Sequence, residues 1–281
     1  MKRIKHNDLT HYFIRPHSEL PRAYLASCEK FFRELKNLKL ARLTAANVQS
    51  SKLQAPSAKL QAPRPALILT QLNSIMKTER NIMKTTEAWT LVGGLSKPGK
   101  MPGWSIGIPA KECKTGSKLR KIKGSTCYDC YALKGCYVFK VVQDAQYRRL
   151  EAIKNPLWVA AMTILINNKK PDVFRWHDSG DVQDLNHLNK IFDVCRLTPS
   201  RRHWLPTREA WIKDHVSRAP ANLIIRFSTP MIDQPAVKSW PHTSTVVTAG
   251  ATCPAPKQGN QCKNCRKCWN KDIKNISYGQ H

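Results

Sequence analysis

At 281 residues the chain is long enough for one large domain with a substantial core, or for two smaller ones. Its 41% hydrophobic and 8% aromatic content is that of a globular protein and excludes wholesale disorder, while its longest apolar run, PLWVAAMTILI, is too short to span a bilayer. A formal charge of +28 points to anionic partners, nucleic acid among them, although no RNP motif, zinc-finger spacing or basic zipper accompanies it.

The N-terminus, MKRIKHNDLTHYFIRPH, lacks the apolar core of a signal peptide, so the chain reads as soluble and cytoplasmic, with no membrane role. A helix is plausible around CEKFFRELKNLKLARL. Beyond it, SKLQAP is followed at once by AKLQAP, and SIMKTE is echoed by NIMKTTE. Two copies are too few for a solenoid, and the Pro-bearing repeats read as a linker. Residues 1–83 are therefore expected to form a basic, poorly ordered extension, dispensable or the product of a mis-set start. The α/β cysteine-cluster domain is expected over 84–281.

From residue 84 strands alternate with helices. GWSIGIPA (103–110) is a short candidate strand and FKVVQDAQYRRLEAI (139–153) a helix. A second helix follows in NPLWVAAMTILINN, with Asn155 as cap and Pro156 in its first position. DVFRWHD (172–178) reads as a strand, and VQDLNHLNKIFDVCRL (182–197) as an amphipathic helix. HWLPTR (203–208) is strand-like, with Pro206 confining it to an irregular or edge role. EAWIKDHVSRA is a helix, and NLIIRFS and STVVTAG are strands. This alternation predicts a parallel α/β architecture, a partial or full (β/α) barrel, with a doubly wound α/β sheet as the runner-up. Polar residues gather just after the strand ends, where barrel-type folds place their chemistry.

The chain holds ten cysteines, eight of them in two groups. Structural disulfides are not expected in a reducing compartment, so the clustering points to metal. In CPAPKQGNQCKNCRKCW, Cys253 precedes the run Cys262, Cys265, Cys268. Four thiolates satisfy a cubane [4Fe–4S] cluster or a tetrahedral zinc, and the close C-x-x-C-x-x-C packing favours iron and sulfide. The first group is Cys113, Cys127, Cys130 and Cys136. Four ligands would close such a site, whereas three would leave one iron open for a cofactor or substrate. Cys136, just before YVFK, reads as a small buried hydrophobe rather than a ligand.

KECKTGSKLRKIKGSTCYDCYALKGCY, RWHDSGD and CPAPKQGNQCKNCRKCW, in this order, resemble the phage gene-product-88 family over roughly residues 84–272. That resemblance implies a phage protein acting in the cytoplasm of a bacterial host, with Cys113, Cys127 and Cys130 in the cysteine pattern and Cys136 outside it. The C-x-x-C-Tyr segment also resembles divergent radical SAM enzymes. This implies an open-site [4Fe–4S] cluster on Cys113, Cys127 and Cys130, with S-adenosylmethionine on the fourth iron, and a second cluster on the C-terminal cysteines. The chain differs from ordinary members in a thirteen-residue first spacing, and it has no clear glycine-rich SAM-binding strand.

His177, Asp178 and Asp181, in HDSGD, are the candidate catalytic residues. The competing reading is that Asp178 or Asp181 caps a helix beginning at Val182. Arg208, at the next strand end, suits a carboxylate or phosphate, and together with Tyr131 it makes the candidate cofactor-binding pair. The basic run Lys118–Lys123 suits nucleic-acid phosphate. Two rival functions remain: a zinc-stabilised basic nucleic-acid-binding protein without catalysis, and a metal-dependent nuclease built on HDSGD.

Overall fold

The computed structural model describes residues 83–280 and, upstream, only Arg22, Ala23, Leu25 and Ala26, all helical. The chain divides into two units, Met1–Ala62 and Pro63–His281, and the fold below is that of the second. The helix expected around CEKFFRELKNLKLARL, the LQAP repeats and the expected extension lie outside the described residues.

Six strands form one open, all-parallel sheet: β1 (Trp104–Ile106), β2 (Val173–Trp176), β3 (Arg202–Thr207), β4 (Leu223–Ser228), β5 (Thr243–Val247) and β6 (Asn275–Gly279). Their order across the sheet is their order in the chain. A doubly wound sheet needs a reversal of strand order. Among the described strands there is none, which removes the runner-up topology. In a parallel sheet all C-terminal strand ends share one edge, so the segments after β1 to β4 meet there.

Alternation along each strand divides the side chains between two faces. On one face Phe174, Trp176, Leu205, Leu223, Ile225 and Phe227 share a core with all of the helices except the shortest. The helices are α1 (Thr85–Val92), α2 (Lys114–Leu119), α3 (Lys140–Ala152), α4 (Trp158–Lys169) and α5 (Leu185–Leu197), of which the short α2 buries no residue. α1, α4 and α5 carry most of that core, and α4 is buried nearly all round between the other two, as its unbroken WVAAMTILI run requires. Truncating a fully buried residue here, such as Leu188 or Leu165, costs about 2–5 kcal/mol. On the other face Val173, Trp204 and Ile276 pack against Cys268 and Trp269 of the β5–β6 connection. The second cysteine group therefore covers the face that the helices leave open.

Four local expectations are corrected. α5 begins at Leu185, not Val182, and its cap is Asp184, which accepts from His187 N at 2.7 Å. Asn155 instead accepts from Leu157 N at 2.8 Å in a turn ahead of α4, whose first residue is Trp158. Pro206 lies inside a central strand: the β2–β3 pairing ends at Trp204, so the missing proline N–H breaks no bond on that side. The segment read as a helix over 209–219 is a 3₁₀ helix, Ala210–Arg218. α1, α2 and β6 were not anticipated; each is short and weakly patterned. Among the described residues no helix is long and apolar enough to cross a membrane.

Candidate functional site

The HDSGD loop leaves β2 at the strand-end edge. His177 takes a left-handed conformation, φ 54°, and Gly180 follows at φ 78°. At Gly180 a Cβ would lie 2.3 Å from Ile108 Cγ1, so only glycine lets the loop press against the chain leaving β1. The contact is sealed by Ile108 N donating to Ser179 O at 3.0 Å and Ser179 Oγ donating to Ile108 O at 2.9 Å.

Asp181 does not cap a helix. Its Oδ1 accepts from Val182 N and Thr207 Oγ1, both at 2.7 Å, and its Oδ2 accepts from Arg208 N at 2.8 Å. It thus pins the end of β3 to the loop after β2. Burial pushes its carboxyl up to about 6, against the three hydrogen bonds that hold it down. Asp178 Oδ2 accepts from Ser105 Oγ at 2.6 Å, and its carbonyl accepts from the Tyr131 hydroxyl at 2.6 Å. His177 is 3% exposed, and neither ring nitrogen has a partner among the described residues. Its ring stands edge-on to His187, 5.2 Å between centroids. Burial, with His187 and Arg175 nearby, holds it neutral.

The first cysteine group gathers at this same edge. Cys113 ends the 3₁₀ turn Ala110–Glu112 and precedes α2. Cys127 and Cys130 sit in the turns after Gly124, where Thr126 N donates to Pro230 O at 2.9 Å and ties the loop to the chain beyond β4. A Cβ on Gly116 would stand 3.0 Å from Cys113 Cβ and 3.7 Å from both the Cys113 and Cys127 sulfurs, so the glycine keeps space beside two thiols. Burial raises the Cys113 thiol, and nearby Asp181, Cys130, Cys127 and Glu209 raise it further. Burial also raises Cys127, while the hydrogen-bonded Arg208 guanidinium opposes the shift. The same guanidinium donates through Nη1 to Thr229 O at 2.6 Å and Ser228 O at 3.1 Å. Three sulfurs, Asp181, Arg208 and Glu209 thus form one neighbourhood. Cys136 is exposed on the 3₁₀ turn Gly135–Val138, so the expectation of a buried thiol there is corrected: the turn's backbone curls it outward.

The second group lines a single cavity on the opposite face, with Cys253, Cys262, Cys265 and Cys268 all in its wall beside Pro254, Trp269 and Ile276. The backbone holds it in place: Cys253 N donates to Ser277 O at 3.0 Å, Cys262 N to Lys100 O at 2.9 Å, and Cys265 N to Cys262 O at 2.8 Å. Cys268 Sγ lies 3.2 Å from the Tyr278 hydroxyl, and burial pushes its thiol up to about 11. Fully buried Arg226 spreads its guanidinium over the carbonyls of Cys268 (3.1 Å), Asn270 (2.8 Å) and Ile273 (2.9 Å). Among the described residues no three His, Cys, Asp or Glu side chains are placed as ligands of one metal ion.

Arg175 and Arg226 escaped the sequence reading. Both are lone cations in the middle of apolar strands, FRW and IIRF, a pattern that could have marked them. Each points to the face covered by the second cysteine group.

A family model described as Gene product 88 matches residues 73–271, while no curated protein and no solved structure matches the chain. The match contains the segments after β1 to β4 and all seven cysteines of the two sets, and with more than half of the chain covered, the protein belongs to the phage gene product 88 family.

Proposed function

We propose that the protein is an iron–sulfur enzyme of radical-SAM type, its sheet a partial (β/α) barrel. In this reading Cys113, Cys127 and Cys130 hold an open-site [4Fe–4S] cluster, Cys253, Cys262, Cys265 and Cys268 hold a second, and S-adenosylmethionine binds at the first. The observation that carries the reading is the division of seven cysteines into two sets: three at the strand-end edge and four around one cavity. Four thiols in the wall of one cavity, three of them in a C-x-x-C-x-x-C run, suit a [4Fe–4S] group. The space that Gly116 keeps open beside Cys113 and Cys127 fits the same group.

Cys113, Cys127 and Cys130 would hold such a cluster, which would supply one-electron reducing chemistry when bound. Arg208, hydrogen-bonded to Cys127, stands where it can meet the cofactor's carboxylate, and Asp181 is the positioning residue that fixes its backbone. Tyr131, next to Cys130, is tethered to the Asp178 carbonyl and borders the same space. The HDSGD carboxylates accept bonds from protein donors, which favours this reading over a hard-metal nuclease.

The test is anaerobic purification of the full chain with iron, sulfide and zinc analysis, followed by EPR of the reduced protein with and without S-adenosylmethionine. Iron and sulfide for two clusters, with a spectrum altered by the cofactor, are expected. Stoichiometric zinc without iron, retained in Cys127→Ala, overturns the cluster; a spectrum indifferent to the cofactor overturns the radical-SAM reading alone.

A further inference from the structure

The surface around the first cysteine set has an unusual composition. Seven of the ten exposed large hydrophobic side chains among the described residues lie between Ile122 and Tyr147. Tyr128 is 54% exposed and Phe139 61%. Exposed apolar side chains concentrated in one short segment mark a binding surface rather than ordinary scatter.

Charge narrows the kind of partner. Lys111, Lys114, Lys118, Lys121 and Lys123, just before or at the start of that segment, are exposed and form no ion pair among the described residues, whereas Lys134 and Lys140 within it pair with Asp129 and Asp144. Lys114 and Lys118 also line an open cleft with Trp211 and His215. Two carboxylates line that cleft and both are engaged: Glu209 accepts from Thr115 N at 3.0 Å, Thr115 Oγ1 at 2.9 Å and Trp211 Nε1 at 3.2 Å, and Asp184 accepts from His187 N at 2.7 Å. The segment is held as one layer: Tyr147 Oη reaches Glu112 at 3.3 Å, and the Tyr131 and Tyr137 rings meet edge-on at 5.9 Å. A run of exposed lysines followed directly by exposed aromatic rings matches a polymer that carries negative charge along its backbone and flat faces on its side groups. A duplex hides those faces in its stack; a single strand offers them.

We propose that the basic–aromatic surface of residues 111–147, together with the Trp211 cleft, binds single-stranded nucleic acid and presents it to the centre at Cys113, Cys127 and Cys130. The second half of this statement rests on the proposed iron–sulfur function; the binding itself does not. Stacking on Tyr128 and Phe139 supplies the contact with bases, and the lysines of 114–123 supply the contact with phosphate.

The experiment is fluorescence anisotropy of the full-length protein, with iron content measured on the same samples, against single-stranded DNA, single-stranded RNA and duplex DNA oligonucleotides. Binding of one or both single strands at least about tenfold tighter than duplex is expected. The DNA and RNA arms tell the two sources apart. Tyr128→Ala with Phe139→Ala, which leaves net charge unchanged, is expected to weaken single-strand binding at least about tenfold. Lys118→Ala with Lys121→Ala is expected to lower the slope of log K against log salt by about 0.7 per lost contact. Circular dichroism confirms that each variant is folded. Unchanged affinity in the folded aromatic variant overturns the proposal, because the binding is then only that of a +28 chain. Equal affinity for duplex, or binding to anionic phospholipid vesicles in place of oligonucleotides, overturns it too. Loss of iron with binding intact counts against the iron–sulfur function alone.

Discussion

Arg175 Nη2 donates to the Tyr131 hydroxyl at 3.3 Å, and the Arg175 guanidinium carbon lies 4.9 Å from the centre of the Trp204 ring. Tyr131 follows Cys130, and Trp204 packs with Cys268. One half-buried cation therefore touches the walls of both cysteine sets. It also acts on Cys262 and Cys268, whose thiols it draws down against burial. A positive charge in this place favours the reduced, more negative form of any centre nearby. If the two proposed clusters are present, Arg175→Met is expected to lower the midpoint potentials of both while iron content stays the same. The loss of two hydrogen bonds, to Tyr131 Oη and Met101 Sδ, and one cation–π contact costs about 1–3 kcal/mol of stability. A redox titration followed by EPR reads both potentials; a shift at neither sinks the assignment of Arg175 to the space between them.

Arg226 shapes only the second set. Its guanidinium donates to the carbonyls of Cys268, Asn270 and Ile273, so it acts as a template for a loop without regular structure. Arg226→Leu leaves those acceptors buried without donors, and unsatisfied buried groups cost about 1–3 kcal/mol each. Partial relaxation of the loop holds the expected loss to about 3–4 kcal/mol. Urea unfolding measures it. Iron analysis is expected to show loss of the second centre with the first retained, and loss of both would contradict the separation of the two sets.

The parts of this fold legible in the sequence are those where local pattern and tertiary role agree. VQDLNHLNKIFDVCRL is an amphipathic helix wherever it sits, and NLIIRFS is a strand on composition alone. The start of that helix is not legible at Asp181, because the three donors that claim this carboxylate include Thr207 and Arg208, 26 and 27 positions downstream. Pro206 misled for the same reason: a proline is tolerated where the ladder on one side has ended, and the ladder's length is not written in HWLPTR. The cysteine spacing showed two groups. It did not show that one lies at the strand ends and the other beneath the sheet, nor that Arg175 stands between them.

His203 provides a pH-dependent element away from both cysteine sets. Its Nε2 lies 2.8 Å from Thr198 Oγ1, which donates to Val194 O at 2.7 Å. Nε2 is therefore the protonated nitrogen, and buried Nδ1 has no partner among the described residues. A second proton on Nδ1 would be buried without an acceptor, so burial lowers the pKa from 6.5 to about 3. A depressed pKa contributes stability that is fully present above about 6.5 and is lost as pH falls toward about 3. His187, lowered to about 3 by burial and by Lys190, adds to the same slope, while Asp181, raised to about 6, works in the opposite direction. The denaturant midpoint is expected to fall from pH 7 to pH 4, and to fall less steeply in His203→Gln. Parallel profiles would show that His203 is not the group titrating.

The count of ligands in the first set is the sharpest test of the site. Cys136 is exposed and its 3₁₀ turn leads it away from Cys113, Cys127 and Cys130, which act on one another. Cys136→Ser is expected to keep the iron and sulfide content and EPR spectrum of the native chain. Cys113→Ser, Cys127→Ser and Cys130→Ser are each expected to lose the first centre and keep the second. Gly116→Val offers a probe that leaves every sulfur in place. Its side chain would enter the space 3.7 Å from the Cys113 and Cys127 sulfurs, so iron at the first centre is expected to drop at least severalfold, with the fold intact by circular dichroism. Full iron in Gly116→Val would mean that the group held by these cysteines does not occupy the space beside Gly116. Loss of the first centre in Cys136→Ser would make it a four-thiolate site, closed to any cofactor.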